Sequence, residues 1–342
     1  MRMKKILIFE LNWLGDILFS TPLIRALKKA VPDAHIACAV VPGYSVLLKG
    51  NPCVDSVIEL SDRRTVRSFW EKLSFLRKIR KQRFDTCFFL KPSGTKAMLA
   101  RAAGISRRIG FAGKNDALTH RVRLPEGNVH RVDQMMMLCG PAGIPFLRGR
   151  YEYFVSDEGR AKAAKLLARD GGGIGRVVII NPGGNWNAKR WPKERFAELT
   201  GRVLSRYPDV EVVVTGASGD IALGREISSA VDNRRCSSVA GETDIDTLAA
   251  LFSLGTVIIS ADSGPLHLAS ASGARTIGLF GPTSEKITGP RGIGESVVIR
   301  HDVRCEVPCY KSACSRGYEC MNLITVDEVM RLIERILSVE GI

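Results

Sequence analysis

The chain is 342 residues long, which at roughly 100–200 residues per domain implies two domains. Hydrophobic residues make up 45% and charged residues 25%, an ordinary globular balance that excludes a disordered chain, a collagen-like rod and a disulfide scaffold. The net charge of +15 is lopsided: residues 1–150 hold 27 Lys and Arg against 11 Asp and Glu, and residues 151–342 hold 23 against 24, so only the first half is suited to a polyanion or an anionic surface.

The start, MRMKK, has the charge of a secretion signal, but its apolar run ends at Glu10 and Asp16 follows. No apolar stretch approaches the roughly 18 residues of a membrane span, so a cytoplasmic protein is expected. Residues 4–10 then read as a strand, 16–30 as a helix, 35–41 and 54–60 as strands, 65–82 as a long helix and 84–90 as a strand. Residues 141–155 read as a connector. Alternation restarts with a helix over 156–170, a strand over 176–181 and a helix over 194–207. A strand over 210–215 and helices over 220–231 and 244–254 follow. A strand over 256–261, a helix over 265–272, a strand over 275–280 and a closing helix over 325–338 complete the series. The apolar runs lack period-2 alternation, as parallel strands buried on both faces require. Two successive series of this kind imply two doubly wound α/β halves, whose ligands bind beyond the carboxyl ends of the strands.

Three strand-end loops carry the chemistry. In Glu10-Leu-Asn-Trp-Leu-Gly-Asp16, Gly15 permits a sharp turn and Asp16 opens the next helix. Asp16 reads either as a helix cap or as a carboxylate that accepts a proton. In Asn181-Pro-Gly-Gly-Asn-Trp-Asn-Ala-Lys-Arg-Trp-Pro192, Gly183 and Gly184 allow close backbone approach and Lys189 and Arg190 supply cations. That combination suits a phosphate, the plain alternative being a solvated loop. In Ser260-Ala-Asp-Ser-Gly-Pro-Leu-His-Leu-Ala269, Pro265 falls in the first helical turn, so the backbone N–H groups around Ser263 form an anion site at a positive helix end. Asp262 can accept from sugar hydroxyls there, although an Asp and a Ser ahead of a Pro are also plain capping residues and His267 is equally suited to packing. Phe280-Gly-Pro-Thr283 adds a further turn of backbone donors. Neither a Walker loop nor G-x-G-x-x-G occurs, and the glycine run at 171–175 precedes a strand, so it reads as a connector.

From residue 61 to residue 83 there are nine Lys and Arg against Asp62 and Glu71, while Val66, Phe69, Trp70, Leu73, Leu76 and Ile79 recur at helical spacing. Arg63, Arg64, Arg67, Arg77, Lys78, Arg80 and Lys81 are thus candidates for an acidic acceptor or a lipid headgroup surface, or for a merely solvated face. Cys38, Cys87 and three further scattered cysteines read as buried free thiols. Cys305, Cys309, Cys314 and Cys320 lack a C-x2-C knuckle, so they read as free or redox-labile thiols, with metal binding as the alternative.

Taken together, the NWLGD loop and its TPLIRALKK helix, NPGGNWNAKRWP, ADSGPLHLA, GLFGPT and the late stretch ending CMNLIT resemble the lipopolysaccharide heptosyltransferases of glycosyltransferase family 9, in order along almost the whole chain. The resemblance implies a GT-B fold, two Rossmann-like domains facing a cleft. Residues 1–155 would take the acceptor and 156–324 the nucleotide sugar, with a helix over 325–342 able to cross back. It implies inverting transfer from an ADP-sugar, ADP-heptose, with no cofactor required. The acceptor would be a lipid-linked acidic saccharide of the Kdo-lipid A type at an anionic membrane surface, the enzyme lying peripherally on the cytoplasmic side of the inner membrane and binding no nucleic acid. By the same resemblance Asp16 is the base, Lys189 neutralises the leaving diphosphate, Asp262 contacts the donor sugar, Ser263, Gly264 and His267 line the diphosphate, and Asp220 is placed near the adenosine ribose. Gly183 and Gly184 stand where some relatives carry Thr-Thr. Alternatives are another sugar donor or acceptor within the family, a nucleotide-dependent oxidoreductase or epimerase, and a polyanion-binding protein without activity.

Overall fold

Runs such as Ile-Leu-Ile-Phe, Val-Val-Ile-Ile and Val-Ile-Ile have no polar face to offer water, so they form interior strands. A computed structural model describes residues 3–10, 12–60, 69–113, 117–146, 148–169, 175–184, 186–309, 311 and 314–339. The chain divides into two units, Met1–Phe154 and Val155–Ile342.

The first unit is built on β1 (Lys5–Phe9), β2 (His35–Val40), β3 (Ser56–Glu59), β4 (Thr86–Phe89), β5 (Arg107–Phe111) and β6 (His120–Val122). They form one parallel sheet in the order β3-β2-β1-β4-β5-β6, with Ile8 opposite Cys38 on one side and Phe88 on the other. Phe9 and Phe89 stack at 4.8 Å in a core that also takes in Ile79, Ala97 and Ala100 from the covering helices.

The second unit holds β7 (Arg176–Asn181), β8 (Val210–Val214), β9 (Cys236–Ser238), β10 (Val257–Ala261), β11 (Thr276–Phe280) and β12 (Ser296–Arg300), in the order β12-β11-β10-β7-β8-β9. Counted from its own first strand this is the same 3-2-1-4-5-6 order as in the first unit. Each sheet therefore has its switch point beside its first strand, β1 or β7, where the carboxyl ends leave a crevice. The expected pair of doubly wound halves is present. The closing helix, Val326–Val339, sets Val329, Met330, Ile333 and Leu337 into the core of the second unit.

The structure departs from the sequence reading in places. The helix expected over 16–30 is two helices, Leu14–Leu18 and Thr21–Ala30. Pro22 has no N–H to continue a helix, and the hydroxyls of Ser20 and Thr21 donate back to the Ile17 and Leu18 carbonyls at 2.7 and 2.9 Å. Cys38, Cys87 and Cys139 are buried, but Cys53 and Cys236 are only half-buried. Burial pushes the thiols of Cys139 and Cys236 up to about 11. Among the described residues no helix is long and apolar enough to cross a membrane.

Candidate functional site

The sequence-predicted residues of the strand-end loops fall at the carboxyl edges of the two sheets, after β1, β7, β8 and β10. In the first unit the chain leaves β1 through Glu10, which is buried, and Trp13, which is exposed, into the short helix Leu14–Leu18. Asp16 lies in the first turn of that helix and is half-buried. It is not the helix cap: Trp13 holds that position in extended backbone and makes no side-chain cap. The cations Arg77, Lys78, Arg80 and Lys81 are exposed on the helix Phe69–Gln82, while Ile79 between them is buried. Arg63, Arg64 and Arg67 lie outside the described residues.

In the second unit three loops meet. The loop after β7 passes Gly183 and Gly184, then tightens into the turn Asn187–Lys189. Lys189 Nζ lies 2.6 Å from Asp262 Oδ2, and 5.5 Å from the centre of the Trp186 ring. Asp262 directly follows β10, and its carboxylate, 4% exposed, also has His267 Nε2 at 3.4 Å. Burial alone would raise this carboxyl. The His267 hydrogen bond and the Lys189 charge outweigh it and hold Asp262 well below the usual carboxylate range. Two cationic or donor groups thus keep a buried anion ionised at the mouth of the helix Gly264–Ala271. Ser263 occupies the cap position of that helix without a side-chain cap bond, and Pro265 in its first turn has no N–H to satisfy.

Asp220 joins the same edge from the β8 side. It ends the short turn Ser218–Asp220, and its Oδ2 accepts from the Ala217 N–H at 3.1 Å. A Cβ on Gly183 would sit 2.3 Å from that oxygen, so the glycine is required by close approach. The structure therefore brings Gly183, Gly184, Lys189, Asp220, Asp262, Ser263, Gly264 and His267 to one sheet edge.

Sequence reading took Arg190 only as a second cation of its loop, without its partners, and missed a polar chain beneath. Arg190 donates from Nε and Nη2 to the Gly184 carbonyl at 2.9 and 2.6 Å, and reaches Asp220 Oδ1 at 3.4 Å. Its target is a backbone carbonyl, which no side-chain pattern announces. A buried polar chain also runs beneath the loops: Thr215 Oγ1 to Asn181 Oδ1 at 3.1 Å, Asn181 Nδ2 to Ser260 Oγ at 3.5 Å, and Ser260 Oγ to Ser263 Oγ at 3.1 Å. Its signal was present, because the apolar runs of β7, β8 and β10 each give way to a hydroxyl or amide residue at neighbouring positions. The nine cysteines are free thiols, and among the described residues no cluster of three or more His, Cys, Asp or Glu is placed to hold a metal.

This arrangement has known relatives. The family model described as Glycosyltransferase family 9 (heptosyltransferase) matches residues 72–318. Lipopolysaccharide heptosyltransferase 2 of Salmonella typhimurium is 26% identical over 370 residues, covering 99% of this chain and 100% of the relative. The structure of Escherichia coli ADP-heptose lipopolysaccharide heptosyltransferase II superposes with a TM-score of 0.82 at 25% identity, covering 99% of this chain and 100% of that one. A glycosyl transferase family 9 structure from Veillonella parvula superposes with a TM-score of 0.84 at 20% identity, covering 98% and 97% of the two chains. The two Rossmann-like units are those of a GT-B fold. With its motifs, its fold and its sequence in agreement, the chain belongs to glycosyltransferase family 9, the heptosyltransferases of lipopolysaccharide core synthesis.

Proposed function

We propose that this enzyme moves heptose from ADP-L-glycero-D-manno-heptose to the inner core of lipopolysaccharide, with inversion at the anomeric carbon. The donor is suggested by the ADP-heptose enzyme it resembles in structure and sequence. The observation that carries the reading is the Lys189–Asp262–His267 cluster at the opening of the helix Gly264–Ala271.

Displacement at an anomeric carbon builds positive charge on the sugar ring and negative charge on the departing diphosphate. Lys189 and the backbone N–H groups of Ser263 and Gly264 are suited to stabilise that negative charge, with His267 beside them. Asp262, kept ionised, accepts from donor hydroxyls and stabilises the ring charge. Gly183, Gly184 and Asp220 hold the nucleoside side of the donor. Asp16 removes the proton of the attacking hydroxyl. Fixed positive groups thus meet the charge that develops, and we propose that no cofactor is required.

The basic first half suits a lipid-linked acidic saccharide of the Kdo-lipid A type. Arg77, Lys78, Arg80 and Lys81, with Arg63, Arg64 and Arg67, would face that acceptor and the anionic inner membrane, the enzyme lying peripherally on the cytoplasmic side. In this reading residues 1–155 take the acceptor and 156–324 the donor.

The test is to incubate the protein with ADP-heptose and truncated lipopolysaccharides of increasing core length, and to find by mass spectrometry which one gains a heptose. Asp16→Asn is expected to bind ADP-heptose normally while transfer falls about 10²–10⁴-fold. Wild-type turnover in that variant would show that Asp16 is not the base.

A further inference from the structure

Lys189 and Arg190 are neighbours in sequence, yet they leave the turn Asn187–Lys189 toward opposite flanks of β7. Lys189 goes to Asp262, behind β10, and Arg190 to Asp220, behind β8. The Arg190 fork spans two acceptors: Nε and Nη2 hold the Gly184 carbonyl, and Nη2 also faces the Asp220 carboxylate. Asp220 is braced on its other side by the Ala217 N–H and by the bare Cα of Gly183. Glycine turn, guanidinium and carboxylate are therefore one interlocked piece.

We propose that Arg190 is a positioning residue for the donor: by tying the Gly184 carbonyl to Asp220 it sets the spacing of the nucleoside subsite, and so governs affinity for ADP rather than the rate of transfer. This rests on the reading of Asp220 and the glycine turn as donor contacts. A role in stability alone fits less well. The Arg190 side chain is 37% exposed, and an ion pair so placed contributes little to folding. What it supplies is geometry, and that geometry requires a planar fork, since a lysine ammonium cannot hold a carbonyl twice and a carboxylate once in the same plane.

The test is calorimetric titration with ADP, beside steady-state transfer, for Arg190→Lys, Arg190→Ala, Asp220→Asn and the double variant Arg190→Ala/Asp220→Asn. Both Arg190 variants are expected to bind ADP about tenfold or more weakly, the scale of losing a charge-assisted hydrogen bond. Turnover at saturating donor should stay within about threefold and the acceptor KM should not move, a split that general loosening of the fold would not produce. The double variant should bind no more weakly than the weaker single one, because Arg190 acts through Asp220. Arg190→Lys and Arg190→Ala that bind ADP within about twofold of wild type, or losses that multiply in the double variant, would overturn the role. A wild-type protein that neither binds ADP nor transfers heptose would instead overturn the functional reading beneath it.

Discussion

Asp262 stays ionised although it is buried, because Lys189 and His267 both favour its charged form. Its folded pKa lies below the unfolded value near 3.9, so its contribution to stability is complete above about pH 5 and is lost as the pH falls through the folded value. Asp262→Asn is therefore expected to cost about 1.5–3 kcal/mol at pH 7 and clearly less at pH 3, as read from urea unfolding at the two values. Equal losses at both would mean that the charge contributes nothing. Gly183 gives a second expectation at this scale. A methyl there sits 2.3 Å from Asp220 Oδ2, and that carboxylate is held by Ala217 and Arg190, so it cannot withdraw freely. Gly183→Ala should weaken ADP binding about tenfold with an unchanged circular dichroism spectrum, the cost of displacing one well-held group. Lys189, Asp262 and His267 were readable because each lies in a glycine-bearing segment that follows an apolar strand run. That Lys189 pairs with Asp262 was not, since 73 residues separate them.

At the scale of elements, the strand–helix alternation was plain for the interior strands except β5, whose Arg-Arg-Ile-Gly-Phe opens on two charges and shows no apolar run. The edge strands β6, β9 and β12 escaped notice as well: each is part-exposed, and β6 and β9 are only three residues long. The break after Leu18 was written in Pro22, but the hydroxyls that complete it have no signature of their own. The closing helix shows the opposite case, since its apolar face was evident and its docking place was not. Trp191 helps to fix that place: its indole N–H donates to the Ile324 carbonyl at 3.0 Å, just before the helix begins. Ile333 is fully buried in the same core. Ile333→Ala should destabilise the protein by about 2–5 kcal/mol, seen as a lower urea midpoint, while ADP affinity at low temperature stays at the wild-type level. A midpoint unchanged from wild type would place the helix outside the cooperative core.

At the scale of the molecule, the charge asymmetry between the halves is a matter of counting, and the exposed quartet Arg77, Lys78, Arg80 and Lys81 gives part of it a face. Each cation near an anionic bilayer contributes about 1 kcal/mol, screened beyond roughly 10 Å at 0.1 M salt. The protein should sediment with phosphatidylglycerol vesicles and not with phosphatidylcholine ones. Reversing the four charges to Glu should cut that binding more than tenfold, as should high salt. Equal sedimentation with both lipids would leave the basic face without a membrane role.

The shared strand order of the two units reaches further than architecture. The loop that bears Asp16 and the loop that bears Lys189 depart from β1 and β7, which occupy the same address in their respective sheets. Each half also closes its own core. Rewriting the crossovers of one half therefore leaves the core of the other intact, and an enzyme so built is modular: under the proposed division of labour, new acceptors can be recruited through a replaceable front end while the nucleotide grip is inherited unaltered.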